Sequence, residues 1–343
     1  MKQVFGKAIG IVVGLLAGML PVWSSAWAAE PAPAAAWPSV VDAARKEGKV
    51  VLYTMQVPPV IERIKADFTN AYPGIALEAA RVGAGPMIVR VDQERDSGAE
   101  GPDVMVTVEL VWLERLQKEG HLTKPVGPAS RTWPANYMWR GASPVLALEP
   151  LIIAYNTNLI KTPVTGYRDL MKPEYKGKLG ISVVQSIVQV AWYEWLEKTN
   201  GPEFLPNLAA LAPRFYNGTV PNTQAVASGE IAASLFSNLS IAMPLVEQGA
   251  PMRTVLPAPA LGFRYAGAIS ARSKRPNAAQ VLVDYLMSPR GQTMWNGQGQ
   301  SASPLPNIPG SPDASKIIAY DPTLYGENAI PVYMKKFEPI FKK

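Results

Sequence analysis

Strand-like and helix-like stretches alternate along this chain, and that alternation limits its fold more than any other feature. Lys49 to Thr54, KVVLYT, is a run of β-branched, aliphatic and aromatic residues of strand length, and Gly48 stops the helical pattern of Val40 to Glu47 before it. Pro58 and Pro59 suit the first turn of a helix that carries Ile61, Ile64 and Phe68 at helical spacing and ends near Tyr72-Pro73-Gly74. The cycle repeats: IALEAARV reads as a strand, Gly83-Ala84-Gly85 as a turn, and Met87, Ile88 and Val91 as a helix. A third cycle pairs DVMVTV, Asp103 to Val108, with a helix around Trp112, Leu113 and Leu116. Strands alternating with helices imply parallel βαβ units, so the expected class is α/β, with mostly parallel sheets flanked by helices. In such sheets ligands sit in the loops beyond the carboxyl ends of the strands.

Ser143 to Pro150 runs extended, and a second α/β set begins with LIIAYN. It continues through KLGISVV, a Trp-rich helix from Ile187 to Thr199, RFYNG, a short helix ending at Gly229, IAASLF, a helix near Ile241 to Gln248, and MRTVLPA. YAGAIS and a helix over Pro276 to Met287 then look like elements of the first set, so the chain crosses between two lobes more than once.

The first 29 residues have another character. Lys2 and Lys7 precede an uncharged apolar run from Ala8 to Leu20, then Pro21 and Ala26-Trp27-Ala28, the three-part pattern of a secretory signal peptide. A run of about 13 residues is too short to span a bilayer, so a soluble periplasmic protein is expected. The absence of cysteine excludes disulfides, thiol nucleophiles, thiolate metal sites and a lipid-modified cysteine anchor. Removing residues 1–29 takes the formal charge from +6 to +4 (6 − 2), and the remaining charges are scattered, without the basic stripe of a nucleic-acid binder.

In their joint order these segments resemble the family 1 extracellular solute-binding proteins of bacterial ABC transporters, most closely the ferric-iron-binding branch and its relatives for small organic solutes. The resemblance is carried by EGKVVLYT, IKADFTNAYPGIALEAARVGAG, GPDVMVTVELVWLERLQKEGHL, EPLIIAYNTNLI, YRDLMKPEYKGKLGIS, AVASGEIAASL, RPNAAQVLVDYLMSPRGQTMW and SASPLPNI. It implies a two-lobed periplasmic binding protein fold of type II, with the ligand held in the cleft between lobes. It also implies a monomer without cofactor that delivers a small-molecule solute to an inner-membrane ABC permease. The lobes are expected at 38–147 plus 259–300 and at 148–258 plus 301–343.

The iron-binding relatives hold their metal with two adjacent tyrosines a few residues after a Gly-Glu-hydrophobic-Ala strand. Here those places are held by Leu239 and Ser240, neither of which can act as a phenolate, and the single histidine, His121, sits in the loop EGHLTKP. An organic solute without metal is therefore favoured over ferric iron or an iron chelate.

Loop position selects the candidate ligand contacts. In the first lobe these are Thr54, Met55 and Gln56, then Gly83, Ala84 and Gly85, then Thr107 and Glu109; glycines there let backbone N–H groups approach an anion. In the second lobe they are Gln185 and Ser186 at a strand-to-helix junction, and Phe236, Ser237 and Asn238, where an amide offers donor and acceptor and an aromatic ring a face for an apolar body. Glu149 in the crossing segment can meet an amine, and Arg264 can grip a carboxylate or phosphonate through two hydrogen bonds. Helix N-termini, the glycine loop and Arg264 tip the expectation to an anion. No Gly-x-Ser-x-Gly elbow supports a hydrolase. A ligand-sensing subunit for a membrane kinase would share the fold and differ in partner.

Overall fold

The computed structural model describes residues 36–326 and 328–342, so the signal peptide expected at residues 1–29 lies outside the described residues. No helix among them is long and apolar enough to cross a membrane. The strands are β1 (Lys49–Thr54), β2 (Ala76–Arg81), β3 (Val104–Thr107), β4 (Leu122–Thr123), β5 (Met138–Trp139), β6 (Ser143–Asn156), β7 (Leu179–Ser182), β8 (Arg214–Tyr216), β9 (Ala233–Asn238), β10 (Met252–Val255), β11 (Leu261–Ser270) and β12 (Ile318–Ala319).

The main ladder runs β2-β1-β3-β11-β6-β9-β7-β8. β1 pairs in parallel with β2 and β3, and β7 in parallel with β8 and β9, so each half has a parallel core built from βαβ units. β11 and β6 join the two cores with antiparallel pairing. Val145 to Pro150 of β6 pair with β11, whereas Leu151 to Tyr155 lie against β9 and β10. One strand therefore passes from the first lobe to the second. The sequence suggests two segments there, SPVLALEP and LIIAYN; the structure makes them one strand of 14 residues, all buried.

The apolar periodicity of the helices has a direct counterpart in the core. Helix Pro58–Ala71 buries Val60, Ile61, Ile64 and Phe68, and helix Leu110–Lys118 buries Leu110, Trp112, Leu113 and Leu116. Trp192 and Tyr193 of helix Ile187–Asn200 are fully buried, so this pair packs in the core. The Trp192 ring meets Phe236 edge-on at 5.0 Å, and its Nε1 donates to the Tyr167 hydroxyl at 3.2 Å. After residue 300 the chain first follows the first-lobe strands: Ala302 exchanges backbone hydrogen bonds with Leu148 at 2.7 and 2.9 Å, and β12 pairs with β11. Only then does helix Ala329–Phe341 reach the second lobe, where Phe337 packs 4.4 Å from Tyr193.

Two local readings change. Gly83-Ala84-Gly85 is a helix start: Gly83 is the N-cap of helix Ala84–Ser97, and Ala84 and Gly85 are its first two residues. The helix expected near Ile241 begins at Leu239, directly from Asn238, so Phe236-Ser237-Asn238 is the end of a strand joined to a cap.

Candidate functional site

A cavity of about 230 Å³ opens where the carboxyl ends of the parallel strands of both lobes face each other. That is below the roughly 300–1,000 Å³ of pockets for drug-sized ligands, so it suits a small solute. The first lobe contributes Met55, Arg81, Gly83, Ala84, Gly85 and Val108. The second contributes Gln185, Ser186, Gln189, Asn217, Gly218, Thr219, Phe236 and Asn238, with Leu151, Phe263 and Tyr265 from the crossing strands. A larger hollow of about 360 Å³, lined by His121, Arg272 and Lys274, lies at the opposite end of β3, away from the strand termini that converge on the cleft.

The polar groups that face the cavity are chiefly donors. Helices Ala84–Ser97 and Thr219–Ser228 start there from Gly83 and Gly218, and no side chain caps either. The N–H groups of a first helical turn have no intrahelical acceptor and carry the positive end of the dipole. Arg81, at the end of β2, lines the same space, and its guanidinium makes no hydrogen bond or ion pair among the described residues. The Asn238 carbonyl oxygen already accepts from Ile241 N and Ser240 Oγ, both at 3.2 Å, because it caps helix Leu239–Glu247. Its amide nitrogen is the half that remains. Gln189 is arranged alike: its Oε1 accepts from the Ser186 hydroxyl at 2.5 Å, which leaves Nε2 as a donor.

Eight of the fifteen residues expected from sequence come together at this cavity: Met55, Gly83, Ala84, Gly85, Gln185, Ser186, Phe236 and Asn238. The other seven stand behind it for local reasons. Thr54 Oγ1 accepts from Gln56 N at 3.2 Å, and the Gln56 side chain accepts from Val57 N at 3.3 Å, so both fold back onto their own turn. Thr107 Oγ1 accepts from Glu109 N at 3.3 Å. Strand alternation sends Phe236 and Asn238 to the cavity and Ser237 to the other face, where its hydroxyl shares a 2.7 Å hydrogen bond with Thr223. Arg264 donates to the Tyr320 carbonyl at 2.9 Å, tying β11 to the segment after β12.

Glu109 and Glu149 are buried, and each serves the start of a second-lobe helix. Glu149 Oε1 accepts from Ser240 N at 3.1 Å, and the Glu109 carboxyl lies beside the Ile187 N–H. Burial pushes both carboxyls up to about 7, against the opposing pull of those N–H groups. Tyr265, beside Glu149, is raised well above its ordinary value by burial and then by that carboxyl, so it stays a neutral phenol. Leu239 and Ser240, where a tyrosine pair would stand, are the first residues of their helix, and the Ser240 N–H is held by Glu149.

Arg81, Gln189 and the Asn217-Gly218-Thr219 corner were not among the residues expected from sequence. Loop position alone would have found the corner, since RFYNG ends a strand just as Gln185-Ser186 does.

Two lobes joined by crossing strands, with a cavity at their facing strand termini, define a binding-protein architecture. The sequence profile of the bacterial extracellular solute-binding protein family matches residues 50–300, and the chain belongs to that family. No curated protein matches the sequence. Among solved structures, a substrate-binding protein of an ABC transporter from Agrobacterium tumefaciens superposes with a TM-score of 0.77 at 16% identity, covering 88% of this chain and 97% of that one. AfuA from Actinobacillus pleuropneumoniae, solved with exogenous fructose-6-phosphate bound, gives 0.68 at 19% identity, covering 86% and 99%. Iron-bound HitA from Pseudomonas aeruginosa gives 0.66 at 19%, covering 85% and 99%. These likenesses establish the two-lobed periplasmic binding protein fold.

Proposed function

We propose that this protein captures a small organic anion between its lobes in the periplasm and delivers it, as a monomer, to an ABC permease. The observation that carries the reading is the donor wall of the cavity: Arg81 without a hydrogen bond or ion pair among the described residues, two helix N-termini without side-chain caps, and two amides whose oxygens are already engaged. Such a wall suits a carboxylate, phosphate or phosphonate, which accepts hydrogen bonds and brings negative charge. Phe236, Phe263, Leu151 and Met55 give the rest of the solute an apolar surface. Ferric iron is disfavoured because it needs anionic oxygen or imidazole ligands, and Tyr265, the one tyrosine lining the cavity, is held as a neutral phenol. The agrobacterial relative belongs to an ABC transporter, which supports delivery to a permease, and the leader sequence supports export.

A thermal-shift screen of carboxylates, phosphonates, sugar phosphates and polyamines tests the reading, because a ligand bound only to the folded state raises its melting temperature. Organic anions should raise it; a shift by polyamines alone would refute the assignment. Asn238→Asp separates cap from contact. The carboxylate still caps helix Leu239–Glu247, so the helix start is kept, while its burial should lower the melting temperature as pH rises. The cavity meanwhile loses a donor and gains a negative charge, so affinity for the anion should fall by roughly tenfold or more in a binding titration.

A further inference from the structure

The lobes meet at two places beside the cavity. A Cβ on Gly85, in the first lobe, would lie 3.1 Å from the Gln185 carbonyl oxygen of the second, so the backbones approach as closely as glycine allows. On the same side of the fold Glu109, two residues after β3, has its carboxyl beside the Ile187 N–H at the start of helix Ile187–Asn200, which follows β7. Glu109 is only 3% exposed, and its Oε1 is buried with no hydrogen-bond partner.

The groups around this carboxyl leave it without a counter-charge. From the opposite lobe it meets the helix N-terminus at Ile187. From the C-terminal segment Tyr320 stands near it, with its hydroxyl donated to Val108 O at 3.1 Å. Arg264 of β11 lies behind Tyr320, bonded to that residue's carbonyl. On its own turn the Thr107 hydroxyl is engaged with Glu109 N. Ile187 belongs to the opposite lobe, so separating the lobes takes that N–H away from the carboxyl and opens this side of it.

We propose that Glu109 is a latch between the lobes whose protonation favours the closed form, so that closing the cleft takes up a proton. The proposal rests on the cleft being a ligand site that closes, and is independent of the charge of the solute. The sign follows from desolvation: the closed form disfavours the ionised carboxylate, the open form does not, so lower pH shifts the balance toward closure. A group that titrates at about 7 when closed and at its ordinary 4.5 when open changes the closed-to-open ratio by roughly thirtyfold between pH 8.5 and 5.5. An anion entering the cavity acts in the same direction, because a neutral Glu109 does not repel it.

Small-angle X-ray scattering of the ligand-free protein at pH 5.5 and 8.5 tests this, with Glu109→Gln and Glu109→Asp as partners. The wild type should have the smaller radius of gyration at pH 5.5. Glu109→Gln keeps an acceptor for Ile187 without a titrating group and should give one value at both pH. Glu109→Asp is one methylene short of Ile187 and should stay extended at both, and this keeps the test decisive if the Gln variant does not fold. A wild-type radius that ignores pH, or a Glu109→Gln radius that follows the wild type, overturns the latch. A protein that compacts on addition of an anion from the screen but not on acidification keeps its capture function and loses the latch.

Discussion

Arg81→Ala is expected to weaken solute binding by roughly ten- to a hundredfold, the size of a lost hydrogen-bonded charge pair of about 1.5–3 kcal/mol. The melting temperature without ligand should stay where it is, because the exposed guanidinium has no hydrogen bond or ion pair to lose among the described residues. Arg81→Lys should recover part of the affinity, since lysine restores the charge without the planar fork that meets two oxygens at once. Calorimetric titration of the three proteins with one organic anion checks this. Equal affinity in Arg81→Ala would remove the residue on which the anion reading most depends.

Glu149→Gln should show the largest effect on stability, and the effect should depend on pH. The folded protein holds the Glu149 carboxyl up at about 7, whereas the unfolded chain titrates it at its ordinary 4.5. Below 4.5 both states are protonated and the buried group costs nothing by this route. Between 4.5 and 7 the unfolded state releases its proton first, so stability falls as pH rises, and above 7 the full penalty is present. A shift of this size is on the order of 3 kcal/mol. A glutamine oxygen still accepts the Ser240 N–H and carries no charge. The variant should therefore melt higher than the wild type at pH 8 and nearly with it at pH 4.5, read as the difference between two thermal denaturation series. Glu109, at about 7, and Asp284, raised to about 6 by burial, bend the wild-type curve in the same direction, so only the difference between the two proteins isolates Glu149.

Most of the architecture was legible because its signals are local. KVVLYT, DVMVTV and YAGAIS are strands in the structure, and the helices with Ile61-Ile64-Phe68 and Trp112-Leu113-Leu116 bury those residues. Helix starts built on glycine were harder: Gly83 and Gly85 favour a turn in isolation, yet Gly83 is an extended N-cap and Gly85 the second residue of the helix, close against Gln185 of the opposite lobe. Helix Phe204–Ala210 was not expected, being too short to show a periodicity around its internal proline.

The site was legible to the level of loops and no further. Strand-end loops supply eight of the expected residues to the cavity lining, but which side chain turns inward depends on alternation and on turn chemistry. Ser237 turns away while its neighbours turn in, and Thr54 and Gln56 hydrogen-bond into their own turn. Arg81 was missed because it reads as the polar end of a strand, and its lack of a partner is visible only once the second lobe is in place. Arg264, the arginine that sequence favoured, is held by a carbonyl 56 residues away.

The most direct test of an anion-capturing cleft is to isolate the protein under mild conditions, record its native mass spectrum, and identify the small molecule released on denaturation. A single organic anion, carried by the wild type and absent from Arg81→Ala, is the predicted result. Release of a polyamine, or stoichiometric ferric iron with a tyrosinate colour, would contradict it.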